Sequence, residues 1–465
     1  MKPLCDGAKK DVLLINPLPG YKFIMTQGIE IPMGLACLAS YLDMNSISTG
    51  IIDMQIHPQP YNLLAQTLKE NKLKIIGISS NTVSFHKAVE LARWIKCFDS
   101  KIFIVIGGVH ASALPKETMH ECSYFDCLVY GEGELTLYEL VDNLIRGKDI
   151  SNLQGTVMRI DGQIKTNPPR PQIEDIDSLP FPAREKFELD KYRPGHENYL
   201  RLPATSMMTT RGCPFKCTFC STPNVWSHSF RLMSAERVLK EIIYCKDRFG
   251  IRDFIFNDDT FTVSRTRVTD ICNMFINNKL DISWGCYARV DTVEPGILFL
   301  MKEAGCLYIR YGIEVGTEES LGAICKGTTL KQARDAVHWT KKSGIDCFAS
   351  FMLGIPGEEP RDTEKTVLFA KELTPDLAEF RRFLSFPGSK MFEQRILPFN
   401  ADTLFCQSQN NVFFRMQRRA YLSYYLFPRW ILQMICKFFK YPKRQMRIFY
   451  HGVVGFLQRI KPRRR

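Results

Sequence analysis

Apolar residues recur along this chain in two alternating series. In residues 11–146, short β-rich apolar runs at 12–16, 49–53, 75–80, 102–107 and 127–131 alternate with stretches of helical spacing at 33–42, 61–70, 85–98, 116–121 and 134–145. Apolar strands separated by amphipathic helices predict a parallel sheet covered on both faces, a doubly wound α/β unit. Residues 204–390 repeat the alternation. Strands are expected at 204–210, 253–257, 282–289, 307–314, 347–353 and 379–386, and helices at 235–249, 265–277, 295–304, 331–343 and 361–373. The pattern predicts a second α/β unit of six strand–helix repeats.

Between the two series the pattern changes. Residues 156–165 read as a small hairpin around Asp161-Gly162. Prolines then crowd 167–171 and 179–184, which predicts a stiff, extended strap. The expected division is therefore 1–146, a connector at 147–200, 201–390, and a tail at 391–465.

In parallel α/β folds, ligands sit at the carboxyl ends of the strands. In the first unit those ends carry Asn16, Ser79, Asn81, Thr82, Gly107, Gly108, His110, Gly131 and Glu132. Small and hydroxyl residues there let a large ligand approach the backbone. No G-x-G-x-x-G follows the first strand, which disfavours a dinucleotide.

The strongest chemical signal opens the second unit. Cys213, Cys217 and Cys220 sit at C-x3-C-x2-C spacing in one short loop. Thiolates are the usual ligands of iron–sulfur clusters, and an electron-transfer cluster takes four. Three leave one iron open to a substrate. The alternatives are a zinc site or three unrelated thiols. Structural zinc wants a second ligand pair, and none stands out. Cys245, Cys272, Cys286, Cys306, Cys325 and Cys347 stand singly, mostly in apolar runs, and read as core residues.

Composition adds little until the tail. The chain has 465 residues, 45% apolar and 24% charged, as in ordinary globular proteins. Its 16 cysteines, with a polar Met1–Lys10 and no apolar leader, point to a reducing cytoplasm. The net charge of +13 is concentrated: residues 414–465 hold 14 Lys/Arg and no Asp/Glu, which leaves the remainder near neutral. Nucleic-acid binding, which wants a basic face on the folded body, is not expected. Residues 418–440 interleave aromatics with cations, and Pro428 and Arg429 interrupt them, so no membrane span is expected. Two readings stay open: helices packed on the second unit, or an interfacial helix with its apolar face in lipid.

C-x3-C-x2-C with Phe219 before the last cysteine resembles the signature of radical S-adenosylmethionine (SAM) enzymes. The resemblance implies a partial (β/α)6 barrel and a 4Fe–4S cluster held by Cys213, Cys217 and Cys220. It implies that SAM chelates the free iron and is cleaved reductively to a 5′-deoxyadenosyl radical. Phe219 would shield the cluster. Asp258 and Asp259, at the second strand end, would lie by the SAM amino group, where a metal site or a helix cap is the other reading. Arg289 would meet the SAM carboxylate, since guanidinium matches carboxylate bidentately. Glu314 would accept from the ribose hydroxyls, and Gly354 would flank adenine. Any one of these would be ordinary alone; their recurrence at successive strand ends favours function.

The first unit resembles the cobalamin-binding domain that precedes many radical SAM cores, most clearly at 104–111 and 129–134. It lacks D-x-H-x-x-G, so no histidine is expected below the cobalt. His110 would contact the corrin or serve as a hydrogen-bonding loop histidine. A flavodoxin-like domain without a ligand is the plain alternative. The group includes the anaerobic magnesium-protoporphyrin ester cyclase and many methyltransferases. The implied function is methylation of an unactivated carbon of a small-molecule or lipid-like substrate. One SAM would charge cobalamin with the methyl group, and a second would supply the radical. An external low-potential donor of the flavodoxin or ferredoxin type would feed electrons. An oxidative cyclase or rearrangement enzyme, and a non-catalytic cobalamin or redox sensor, are the alternatives.

Overall fold

The computed structural model describes residues 10–19, 28–394, 412–440, 442, 444–448 and 450. Its first sheet joins β1 (Val12–Asn16), β2 (Thr49–Asp53), β3 (Ile75–Ser79), β4 (Phe103–Gly107), β5 (Cys127–Val129), β6 (Thr156–Ile160) and β7 (Gln163–Thr166). The order is β2-β1-β3-β4-β5-β6-β7. The first five strands run parallel, and strand order reverses at β1 and β3. Successive side chains take opposite faces. Leu13 and Ile15 pack with Leu64, Leu91 and Ile95 on one side. Val12 and Leu14 pack with Leu35, Leu140 and Val141 on the other.

The boundary expected at residue 146 falls inside this sheet. The 156–165 hairpin is not a free part of the connector: β6 pairs antiparallel with β5, Leu128 opposite Val157. Val157 and Met158 are buried there, so the hairpin covers what would be an exposed sheet edge. Its turn is the expected one, with Asp161 at φ 48° and Gly162 at φ 78°.

The second sheet joins β8 (Ala204–Met207), β11 (Asp253–Phe256), β12 (Ser283–Ala288), β13 (Cys306–Glu314), β14 (Asp346–Leu353) and β15 (Leu377–Arg382), all parallel and in sequence order. A separate ribbon pairs β9 (Thr210–Arg211) with β10 (Arg231–Leu232). Sequential parallel strands with helical returns place every helix on one outer side. Trp284, Cys286, Ile309, Tyr311, Cys347 and Ala349 face those helices and form the larger core. The intervening residues, among them Tyr287 and Arg310, take the inner face.

The proline-rich strap is bolted to this sheet. Arg184, fully buried, pairs with Glu241 at 2.8 Å and donates to the Ser206 carbonyl at 2.9 Å. Removing one partner of such a pair costs about 3–5 kcal/mol, because the other charge is left buried.

The first strand expected at 204–210 stops at Met207, and the last, expected at 379–386, runs from Leu377 to Arg382. The helix Val412–Tyr425 packs on β15 and on the helix Pro360–Leu373. Tyr424 is buried there, and the Tyr425 hydroxyl donates to the Ala378 carbonyl at 2.9 Å. The packed-helix reading of the tail thus describes residues 412–425. Among the described residues, no helix is long and apolar enough to cross a membrane. Gly20, Arg463, Arg464 and Arg465 lie outside the described residues.

Candidate active site

The three cysteines lie on a loop that leaves β9 beside the strand ends of the second sheet. Its entry demands glycine. Gly212 has φ +89°, and a Cβ there would stand 1.9 Å from the Ser229 carbonyl oxygen. Its middle is pinned on both sides. The Thr218 amide donates to the Ile324 carbonyl, and the Thr218 carbonyl accepts from the Met391 amide, both at 3.0 Å. All three thiols are partly exposed. Among the described residues, no three His, Cys, Asp or Glu side chains converge as on a single metal ion. A cubane spreads its cysteines over separate irons and asks for no such convergence.

Two cations stand over this loop. Arg289 lies 3.6 Å above the centre of the Phe215 ring and 3.7 Å from Cys217 Sγ. Lys326 lies 5.6 Å from the Phe219 ring centre. Burial pushes the Cys217 thiol up, while Lys326 and Arg289 pull it back. Burial raises the Cys213 thiol, and Thr260 Oγ1 stands 3.9 Å from its sulfur. A thiolate-ligated cluster carries negative charge that these cations offset. The residues present fit such a cluster.

The other expected SAM contacts divide. Asp258 is buried and accepts from the Thr209 amide and hydroxyl at 2.6 Å and from the Thr210 amide at 2.7 Å. It holds the exit of β8 and ends that strand early, so it does not face a ligand. Asp259 is exposed and accepts from Thr222 Oγ1 at 3.1 Å. The fork of Arg289 is spent on Asp291, two bonds of 2.9 Å, rather than left open for a carboxylate. Glu314 ends β13 at φ +75° beside a register shift, and Lys326 donates to it at 2.9 Å. A non-glycine residue held there is strained. Gly354, at φ +73°, donates its amide to Glu358 at 3.0 Å. Phe219 packs against Val315, Ile324, Ile355 and Met391.

The strand ends of the first sheet approach this loop. The helix Val109–Ala113, which follows β4, packs against Pro223–Trp226, which follows the cysteines. Gly108 has φ +99°, and a Cβ there would meet the Ser80 carbonyl oxygen at 2.5 Å. Ser80 Oγ is buried without a hydrogen-bond partner, Gly131 at φ +74° faces open space, and Val109 is 54% exposed. Gly107 and Ser79 line the same ridge. This backbone-lined cradle fits a large ligand such as cobalamin.

Other first-sheet candidates are engaged elsewhere. Asn16 donates to Asp53 at 3.0 Å, and Asn81 accepts from the Ser84 amide at 2.9 Å. His110 is buried, stacks on Phe85 at 4.1 Å, and has Nδ1 3.3 Å from the Thr82 hydroxyl. These contacts engage the His110 ring, and burial lowers its pKa to about 4. Glu132 pairs with Arg211 at 2.9 Å and with Arg231 at 2.7 Å, so it ties the two sheets together instead of meeting a ligand. Arg211, Arg231, Glu134, Asp291 and Lys326 escaped the sequence reading. Arg211, Glu134 and Asp291 stood next to signals, at the loop, at Glu132 and at Arg289; Arg231 and Lys326 did not.

Comparison with known proteins agrees. Residues 207–370 match the radical SAM superfamily, and residues 24–141 match the B12 binding domain. An uncharacterised methyltransferase of Pyrococcus horikoshii is 34% identical over 87% of this chain and 90% of its own. The chain belongs to the cobalamin-binding group of radical SAM enzymes. An anaerobic magnesium-protoporphyrin IX monomethyl ester cyclase of Rubrivivax gelatinosus is 26% identical over 78% of this radical SAM enzyme, which spans 66% of the cyclase. The radical SAM methyltransferase TsrM of Kitasatospora setae, solved with cobalamin and a 4Fe–4S cluster, has the same fold. Its TM-score is 0.69 at 18% identity, over 83% of this chain and 74% of that one. The enzyme's cofactors are accordingly a 4Fe–4S cluster, SAM and cobalamin.

Two outcomes follow from this geometry. Gly212→Ala is expected to lose most bound iron after anaerobic reconstitution, with far-UV circular dichroism unchanged; full iron occupancy would contradict the loop geometry. For His110, the folded pKa lies below the unfolded value of 6.5, so the unfolded chain binds the proton first. Its contribution is complete above pH 6.5 and is lost as pH falls toward 4, by at most about 3 kcal/mol. His110→Gln is expected to remove that slope from denaturant-derived stability; an unchanged slope would assign it to other groups.

Proposed function

We propose that this enzyme transfers a methyl group from SAM, by way of cobalamin, to an unactivated carbon of a small-molecule substrate. The observation that carries the reading is the opposition of two strand-end ridges. One bears the three-cysteine loop, and the other bears the glycine-lined cradle at Gly108 and Gly131. The cluster supplies reductive cleavage of SAM, and cobalamin supplies methyl carriage. The protein's residues position these groups: Cys213, Cys217 and Cys220 as ligands, Phe219 as shield, and Glu314 with Lys326 beside SAM. The methyltransferase from Pyrococcus, similar over nearly its whole length, supports methyl transfer. The ester cyclase supports the second reading, the same radical start without methyl transfer. We place the enzyme in the cytoplasm, fed by an external low-potential donor of the flavodoxin or ferredoxin type, with a peripheral membrane contact through its tail.

A product assay separates these readings. The holoenzyme, given SAM, a low-potential reductant and candidate substrates, is expected to form S-adenosylhomocysteine and 5′-deoxyadenosine together. Cys220→Ser is expected to abolish the deoxyadenosine. Deoxyadenosine alone from the intact enzyme would favour the cyclase-type reaction. Neither product, with a full cluster, would refute both.

A further inference from the structure

The second tail helix, Pro428–Lys440, is mounted with its polarity reversed. Its inner side is polar and aromatic. Trp430 Nε1 donates to the Asp376 carbonyl at 3.1 Å, and Lys341 Nζ donates to Gln433 at 2.7 Å. Lys437 pairs with Asp376 at 2.7 Å and also reaches Asp346, which Arg444 meets from beyond the helix. These contacts hold the helix firmly against the amino-terminal ends of β14 and β15.

Its outer side is apolar. Leu432 is 63% exposed, Ile435 51% and Phe439 81%, with Ile431 and Phe438 flanking them. At 100° per residue these five positions share an arc of roughly 120°. A soluble helix ordinarily buries such an arc against its own core. Here ion pairs fix the opposite side, so the apolar arc is left turned outward. Exposed contiguous apolar surface of this kind marks an interaction site.

The charge around it selects the partner. Residues 412–450 contain no Asp or Glu. Arg429 is exposed on the same helix, and Arg415, Arg418 and Arg419 are exposed on the preceding one. An apolar arc on a segment that carries exposed cations and no carboxylates of its own complements an anionic lipid surface.

We propose that helix 428–440 docks flat on an anionic membrane, with Leu432, Ile435 and Phe439 in the acyl boundary and Arg429 at the headgroups. It deepens the membrane contact proposed for the tail and is independent of the methyl-transfer reading. The geometry also sets orientation. The helix lies at the amino-terminal ends of the strands, whereas the cysteine loop lies at the carboxyl ends. The contact therefore anchors the enzyme with its cluster end turned away from the bilayer, open to a soluble electron donor. It is not a substrate portal.

Vesicle flotation of the full-length holoenzyme tests this. Binding to vesicles containing phosphatidylglycerol is expected, with weak binding to phosphatidylcholine alone and loss in high salt. Leu432→Glu with Phe439→Glu is expected to reduce binding at least tenfold while SAM cleavage is unchanged. Failure to bind anionic vesicles, or equal binding by the double variant, would overturn the proposal. So would a dimer by light scattering that the double variant dissolves, since the patch would then be a self-interface. Loss of vesicle binding with intact SAM cleavage would leave the methyl-transfer reading standing.

Discussion

One buried ion network joins the two halves of this enzyme. Arg211, two residues before the first cysteine, reaches Glu132 and Glu134 from the end of the first sheet, and Arg231 shares Glu132. The Ile173 amide donates to the other Glu132 oxygen at 2.6 Å, which draws in the start of the strap. Arg211 also lies 5.0 Å over the Trp226 ring, on the short helix that meets the first sheet. Such a network contributes little net stability compared with apolar packing, since each charge must be desolvated. What it supplies is geometry: a misplaced partner leaves an unpaired buried charge, so one docking of the halves is strongly preferred.

The remainder of the site inherits that docking. Asp258 fixes the exit of β8 and hence the start of the cysteine loop. Asn257 reaches across to Glu30 of the first half at 2.8 Å. Arg289, held by Asp291, and Lys326, held by Glu314, then stand over a loop whose position is already set. The far end of the barrel is tied separately, by Lys437 and Arg444 on Asp346. The tail can thus present an outward apolar face without disturbing the chemistry at the other end.

The alternating apolar runs specified both sheets and nearly all strand positions, because parallel strands buried on two faces leave an unambiguous pattern. Cysteine spacing singled out candidate cluster ligands for a similar reason: the chemistry is local. The polar residues were harder. Asp258 and Glu132 carry the right chemistry at strand ends, yet each is consumed by a partner far away in sequence, Thr209 and Arg211. Arg289 is claimed by Asp291 two residues on, a choice set by rotamer and packing. Lys326 gave no signal, since nothing local says that its loop folds back on Glu314. The hairpin at 156–165 is legible in the sequence, but its pairing with β5 depends on tertiary contact. In the tail, composition showed aromatics and cations; only the packed side of the helix shows which of them remain outside.

The central claim is that the two strand-end ridges face each other in one fixed arrangement. Pulsed dipolar electron paramagnetic resonance between the reduced cluster and cob(II)alamin in the holoenzyme measures it most directly. A single narrow distance distribution, broadened in Glu132→Gln, is the expected result. A broad distribution in the unaltered enzyme, or one indifferent to Glu132→Gln, would contradict the account.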